Sequence, residues 1–434
     1  MKAVSQFVFA PKALSGHFTA ISLCSGAGLS DIGYRLAGFR FIVQCELNAY
    51  RANIGKDNFP ESEWVVGDLR KKWKEIVHKY RAACDQELDL LVVTPPCQGM
   101  SSSNPSRGKR TSLQARKNEE KNTLVLAITP VVTSLSPRII VAENIRQLLT
   151  LPVGLKTDCT VVDLLRKRLR DYKVFAGVID VADYGVPQGR KRSIIVAIRK
   201  DQDFLSAITE AGKLPWPKPT HGTPARPYAT IGDWLRHARY PRLDSRSKDT
   251  SHGQHPLHFV PSYEGDRYLQ VKCIPKNTGR SAYENGTCPE CGHSPVPLGL
   301  VRCNKCAGLM RNRPYVFIRR KPRLISGFKS SYRRMDPDKP AATITTNSSH
   351  VGSDFKIHPW EHRVFSILEC ADVQTVPRVY DWSRPLGDGR CYSIRTVIGE
   401  AFPPFFTFLH GRVLRRLLLS KLEESGGFVR LLAS

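Results

Sequence analysis

Between residues 17 and 200 short apolar runs alternate with amphipathic stretches, and this alternation constrains the fold more than any other feature of the chain. The runs are His17–Leu23, Phe39–Cys45, Trp64–Val66, Leu88–Thr94, Arg138–Ala142, Val174–Ile179 and Ser193–Ile198. Between several of them lie helical patterns, at Leu29–Ala37, Leu69–Tyr80, Thr123–Leu135 and Val161–Tyr172. Strands alternating with helices predict an open, mainly parallel α/β sheet. In such sheets ligands bind outside the carboxyl ends of the strands.

The residues with chemistry fall at those ends. The first run leads into Cys24-Ser25-Gly26-Ala27-Gly28, the second into Glu46, the third into Gly67-Asp68. The fourth leads into Pro95-Pro96-Cys97-Gln98 and the fifth into Glu143-Asn144. Glycines between a strand and a helix let the backbone approach a ligand. A strand-end acid can accept from ribose hydroxyls. Two prolines before Cys97 fix the backbone that presents its thiol. A thiol attacks as thiolate, and a free Cys has a pKa of about 8.5, so its site must help it ionise. The loop after Cys97, Ser101 to Lys117, is small and basic, as a segment closing on a phosphate backbone would be.

Charge narrows the partner. The 66 Lys and Arg against 39 Asp and Glu leave +27 on 434 residues. That excess points to a polyanion, with nucleic acid first. No apolar run approaches the ~18 residues of a membrane span, and residues 1–20 lack a signal-peptide block, so an intracellular protein without membrane contact is expected. After about residue 200 Pro, His, Arg and Gly become common and the alternation fades. Arg311 to Arg334 holds nine basic residues and no acid, interleaved with Tyr315, Phe317, Phe328 and Tyr332. Helical spacing returns at Val364–Val373 and Phe405–Leu422. Eight of the 12 cysteines are scattered, as reduced thiols are. The other four, Cys288-x2-Cys291-x11-Cys303-x2-Cys306, have the spacing of a closed, structural zinc site.

Taken in order, these motifs resemble the DNA cytosine-5 methyltransferases over nearly the whole chain. Ser22 to Gly28 resembles the family's glycine motif for S-adenosylmethionine, and Glu46 and Asp68 its ribose and adenine acids. Pro96-Cys97-Gln98, Asn122-Thr123-Leu124, Glu143-Asn144-Ile145 and Gln188-Gly189-Arg190-Lys191-Arg192 resemble four further motifs. Arg334 to Pro340 with Thr343-Ile344-Thr345, and Gly399-Glu400-Ala401-Phe402-Pro403, resemble the last two. Trp216 to His221 resembles the entry into the target-recognition region. Four positions depart from the pattern: Cys24 and Met100 replace Phe, Leu29 replaces Gly, and Glu400 replaces Asn.

The resemblance implies a Rossmann-like methyltransferase domain over 1–200, a smaller, irregular target-recognition domain over 201–350 with a zinc ribbon at 288–306, and a return to the first domain over 351–434. It implies Cys97 as nucleophile at cytosine C6, Glu143 at N3 and Arg190 and Arg192 at O2, with the base flipped out of the duplex. The implied cofactor contacts are Ser25, Gly26, Ala27, Gly28, Glu46, Leu47, Asp68, Leu69, Pro96, Leu124, Glu400 and Ala401. S-adenosylmethionine is the expected methyl donor, Zn2+ the structural ion and double-stranded DNA the partner. The compact size suggests a bacterial enzyme; a monomer in the cytoplasm is expected, with any cognate restriction endonuclease acting as a separate protein. An RNA cytosine-5 methyltransferase and a catalytically silent DNA-binding protein are the rival readings.

Overall fold

Among the described residues up to 199, seven of the eight strands join in one sheet. They are β1 (Phe18–Leu23), β2 (Phe39–Glu46), β3 (Glu63–Val66), β4 (Leu90–Val93), β5 (Ile139–Ile145), β6 (Tyr172–Asp180) and β8 (Lys191–Arg199); β7 (Gln188–Gly189) lies outside it. The order is β3-β2-β1-β4-β5-β8-β6. Neighbours from β3 to β5 run parallel, while β8 is antiparallel to both β5 and β6. This is the mainly parallel sheet that the alternation predicts. β1 and β4 are buried at every position, as strands covered on both faces must be. The structure, a computed structural model, describes residues 13–14, 18–96, 124–150, 159–246, 255–326, 330–353 and 355–420.

Helices α1 (Asp31–Leu36), α2 (Ala49–Asn58), α3 (Leu69–Ala83), α4 (Thr129–Leu135) and α5 (Val161–Arg168) flank the sheet strands in sequence. The pattern at Thr123–Leu135 divides: Leu124–Ile128 is a 3-10 turn, and the α-helix starts at Thr129 with Pro130 in its first turn, where its missing N–H costs nothing. α2 is absent from the sequence expectation because it is mostly polar and buries only Ala52, Ile54 and Gly55. Asn48 starts it by accepting from Arg51 N at 3.1 Å. The helix Pro404–Leu419 packs on α1, with Thr407 Oγ1 donating to Ser30 O at 2.7 Å.

The chain divides into two compact units. One holds residues 10–181, 191–219 and 402–434, including this sheet; the other holds residues 182–190 and 220–401, with 1–9. Residues 351–401 therefore group with the second unit. That unit is irregular: β7 pairs with Ala341–Ala342, a hairpin spans Tyr315–Leu324, and its helices have ten residues or fewer. With so little ladder, many carbonyls need other donors. Arg190, Arg313, Arg334 and Arg395 are buried and donate to main-chain carbonyls. Arg313 alone reaches Asn285, Val296, Pro297 and Leu300. Arg363 donates to Val364 O at 3.0 Å and also pairs with buried Glu369 through two bonds of 2.7 and 2.8 Å.

Candidate active site and cysteine cluster

The loop after β1 turns sharply because Cys24, Gly26 and Gly28 all have positive φ, at 59°, 58° and 76°. Ser25 fixes the turn by donating N–H to Cys45 O at 3.0 Å and Oγ–H to Ser22 O at 2.9 Å. The two glycines differ in purpose. A Cβ at Gly28 would meet the Phe59 ring at 2.7 Å, whereas at Gly26 it would find nothing within 4 Å. Gly28 is thus a packing glycine and Gly26 borders open space; Ala27 between them is buried. Burial and the negative charge of Glu46 push the Cys24 thiol far up, so it stays neutral.

Glu46 ends β2 and receives Gly26 N at 3.0 Å and Asn48 N at 2.9 Å, one on each oxygen. Each carboxylate oxygen keeps a second acceptor site. Leu47 beside it is 69% exposed, an apolar side chain with little cover. Asp68 caps α3, and its hydrogen bonds from Arg70 hold its carboxyl below the usual range. Leu69 is buried, so it can meet a ligand chiefly through its backbone.

Beneath this loop Asp31 is buried and accepts from Ser22 Oγ at 3.0 Å and Gln44 Nε2 at 2.8 Å. Burial raises its carboxyl to about 7, although both hydrogen bonds lower it. Between about pH 4 and 7 the folded state therefore holds a proton that the unfolded chain has released. Its contribution is complete below about pH 4 and lost as pH rises through 7, with a slope of up to about 1.4 kcal/mol per pH unit. Asp31→Asn should gain on the parent protein as pH rises through this window, checked by urea midpoints at several pH values.

Cys97 and Gln98 lie outside the described residues, as do Ser101 to Lys117 and Asn122-Thr123. The backbone leading to Cys97 is held from two sides. Thr94 donates Oγ1–H to Cys24 O at 2.9 Å, and Asn144 donates Nδ2–H to Pro95 O at 2.9 Å. Pro96 follows, exposed. Leu124 is half-buried and opens its 3-10 turn.

Glu143 lies within β5, which runs three residues beyond β4 because β8 supplies partners there. Arg192 stands opposite Ile145 in that pairing. Glu143, two residues back, shares its face, so the two side chains are diagonal neighbours. They form an ion pair at 3.1 Å, both largely buried. Arg190 is two residues away yet belongs to the other unit. It is fully buried there, donating to Ile344 O and Gly399 O at 3.0 Å each. Glu400 and Ala401 also belong to that unit, at the end of the helix Cys391–Glu400. A Cβ on Gly399 would sit 2.4 Å from the Thr345–Thr346 backbone, which accounts for the glycine in this motif. The holding roles of Thr94 and Asn144 have no signature in the sequence, since bonds to main-chain carbonyls follow no spacing.

The four cysteines of the second unit converge, with all sulfurs within 4.8 Å of one another. Cys288 and Cys306 are 3.7 Å apart, and Cys291 and Cys303 are 3.8 Å apart. Ligands at 2.3 Å from a tetrahedral zinc would be about 3.8 Å apart. Backbone N–H groups of Lys305 and Gly308 point at Cys303 and Cys306 sulfurs, at 3.3 and 3.4 Å. Cys288 and Cys303 pack with Val296 and Met310 in a separate small core.

The sequence model of the C-5 cytosine-specific DNA methylases matches residues 18–409. The chain belongs to this family and is a DNA cytosine methyltransferase, as its motifs led one to expect. It is 28% identical over 396 residues to the Type II methyltransferase M1.HgaI of Avibacterium volantium, covering 88% of this chain and 94% of that one. It is 24% identical to the Type II methyltransferase M.Eco47II of Escherichia coli, covering 95% and 82%. Among solved structures the fold is shared with S. pombe Dnmt2 methyltransferase, at a TM-score of 0.51 and 14% identity over 94% of this chain and 99% of that one. No helix among the described residues is long and apolar enough to cross a membrane.

Proposed function

We propose that the protein methylates C5 of a flipped-out cytosine in a specific double-stranded DNA sequence, through a covalent bond between Cys97 and C6. The observation that carries this reading is the Glu143–Arg192 pair on β5 and β8, next to Asn144, which holds the turn entering the Cys97 motif. S-adenosylmethionine, when bound, supplies an electrophilic methyl group. The open face at Gly26, the spare acceptor sites of Glu46 and the uncovered Leu47 suit its ribose and adenine. Cytosine C5 is a weak nucleophile, and adding the Cys97 thiolate to C6 makes it enamine-like. Glu143, in its protonated form, donates to N3 as negative charge builds on the ring, and Arg192 holds O2. Once C5 carries the methyl, its proton leaves and Cys97 is expelled. None of this fits inside a stacked duplex, hence the flip. Arg190 acts as a positioning residue, holding the segment that carries Glu400.

The unit containing residues 220–401 is assigned target recognition, with zinc on Cys288, Cys291, Cys303 and Cys306. The relatives' Type II names suggest the modification half of a restriction–modification system, in which a monomer works apart from the endonuclease. Incubating the protein with labelled S-adenosylmethionine and either duplex DNA or tRNA should label DNA alone, at cytosines mapped by bisulfite sequencing. Label in tRNA alone would refute the reading. The freshly purified chain should contain about one zinc. Cys288→Ser with Cys291→Ser should release it and blur DNA-site selection while cofactor binding persists, because the site is closed and therefore structural. Loss of cofactor binding in that variant would refute this division of labour.

A further inference from the structure

The stretch Tyr315–Leu324 folds as an isolated two-stranded hairpin, with β9 (Tyr315–Ile318) paired antiparallel to β10 (Lys321–Leu324). Its root is fastened. Tyr315 donates its hydroxyl to Asp266, which also pairs with Arg311 at 2.7 Å, and Ile325 donates N–H to Pro314 O at 3.1 Å. Its blade is bare. Val316, Phe317 and Ile318 are all exposed, Phe317 by 56%. Two strands alone are marginal in water, and this ribbon is bare on both faces, with Val316 and Ile318 on one and Phe317 on the other, so it is suited to a partner that encloses it.

The tip is stranger than the blade. Ile318 pairs with Lys321, so the loop is the two residues Arg319 and Arg320, with φ of 49° and 63°. A loop with both residues left-handed normally takes Asn-Gly, because a Cβ is disfavoured there. Here it carries two exposed guanidinium groups, followed by Lys321 and Arg323 on the returning strand. No acid lies between Arg311 and Arg334 to balance them. This charge is complementary to DNA, whose major groove admits a two-stranded ribbon.

We propose that this hairpin reads the target sequence from the major groove, with Arg319 and Arg320 each forked onto the O6 and N7 edge of a guanine. The inference rests on the reading of the chain as a sequence-specific duplex-DNA methyltransferase. Bidentate contact to guanine is the arginine's particular capacity, and lysine retains the charge without the fork.

The test is methylation of a randomised duplex pool, with methylated sites sequenced. Arg319→Lys and Arg320→Lys should each relax the guanine preference at one position by roughly 5- to 150-fold, the worth of one bidentate contact. A second variant combines Arg319→Asn with Arg320→Gly, which suits the turn and keeps the hairpin folded. It should lose preference at both positions without a fall in Tm. A site profile unchanged from the parent protein would overturn the proposal. Loss of binding to phosphatidylserine vesicles beside an unchanged profile would likewise overturn it, assigning the hairpin to a membrane surface. If the parent protein methylates no DNA in the pool, the functional reading itself fails and the inference falls with it.

Discussion

Replacing Cys97 by Ala should abolish methyl transfer while duplex DNA is still bound. Without addition at C6 the ring carbon C5 has no enamine character. Deleting the nucleophile of a covalent enzyme costs about 10⁶-fold in a well-studied protease, and a loss of at least ~10³-fold is expected here. A duplex carrying 5-fluorocytosine at the target should trap the parent protein as a covalent adduct stable to denaturant. Fluorine at C5 cannot leave as a proton does, so Cys97 cannot be expelled. The Ala variant should give no adduct. Full turnover in Cys97→Ala would refute the covalent route, whatever the family.

Glu143→Gln should lower the single-turnover rate by about 10²- to 10⁴-fold, the usual worth of a positioned proton donor or acceptor. Gln keeps the shape and can hydrogen-bond, but it can neither carry the charge that pairs with Arg192 at 3.1 Å nor pass a proton. Cofactor affinity should hold, because Glu143 lies on β5, apart from the loop after β1 and the end of β2. The rate of 5-fluorocytosine adduct formation should fall in parallel. An unchanged adduct rate with slow turnover would place Glu143 after the addition step, and an unchanged turnover would remove it from the mechanism.

The sheet is legible in the sequence because its inner strands, β1 and β4 above all, are buried on both faces and read as continuous apolar runs. Strand direction is not: nothing in Ser193–Ile198 distinguishes an antiparallel strand from a parallel one, yet β8 runs against its neighbours. That reversal is what lengthens β5 and brings Glu143 beside Arg192, so a strand end in the sequence reading lies inside a strand in the structure. The cysteine cluster was legible from spacing alone. The two motif arginines were not separable: Arg190 and Arg192 have the same chemistry two residues apart, and only the chain's passage between units sends one to carbonyls and the other to Glu143. Arg190, Arg313, Arg334, Lys356, Arg363 and Arg395 are wholly buried, so part of the +27 never faces a polyanion.

Those buried arginines have a consequence for how such a protein can change. A β-sheet transmits an insertion along its length, since one slipped residue turns every side chain over. The unit built on Arg190, Arg313, Arg334 and Arg395 has fixed points instead of a ladder: each guanidinium grips carbonyls of segments distant in sequence. Chain between two such grips can lengthen, shorten or be exchanged without shifting a neighbour's register. Variation in what is recognised is thereby uncoupled from the persistence of the frame that presents it.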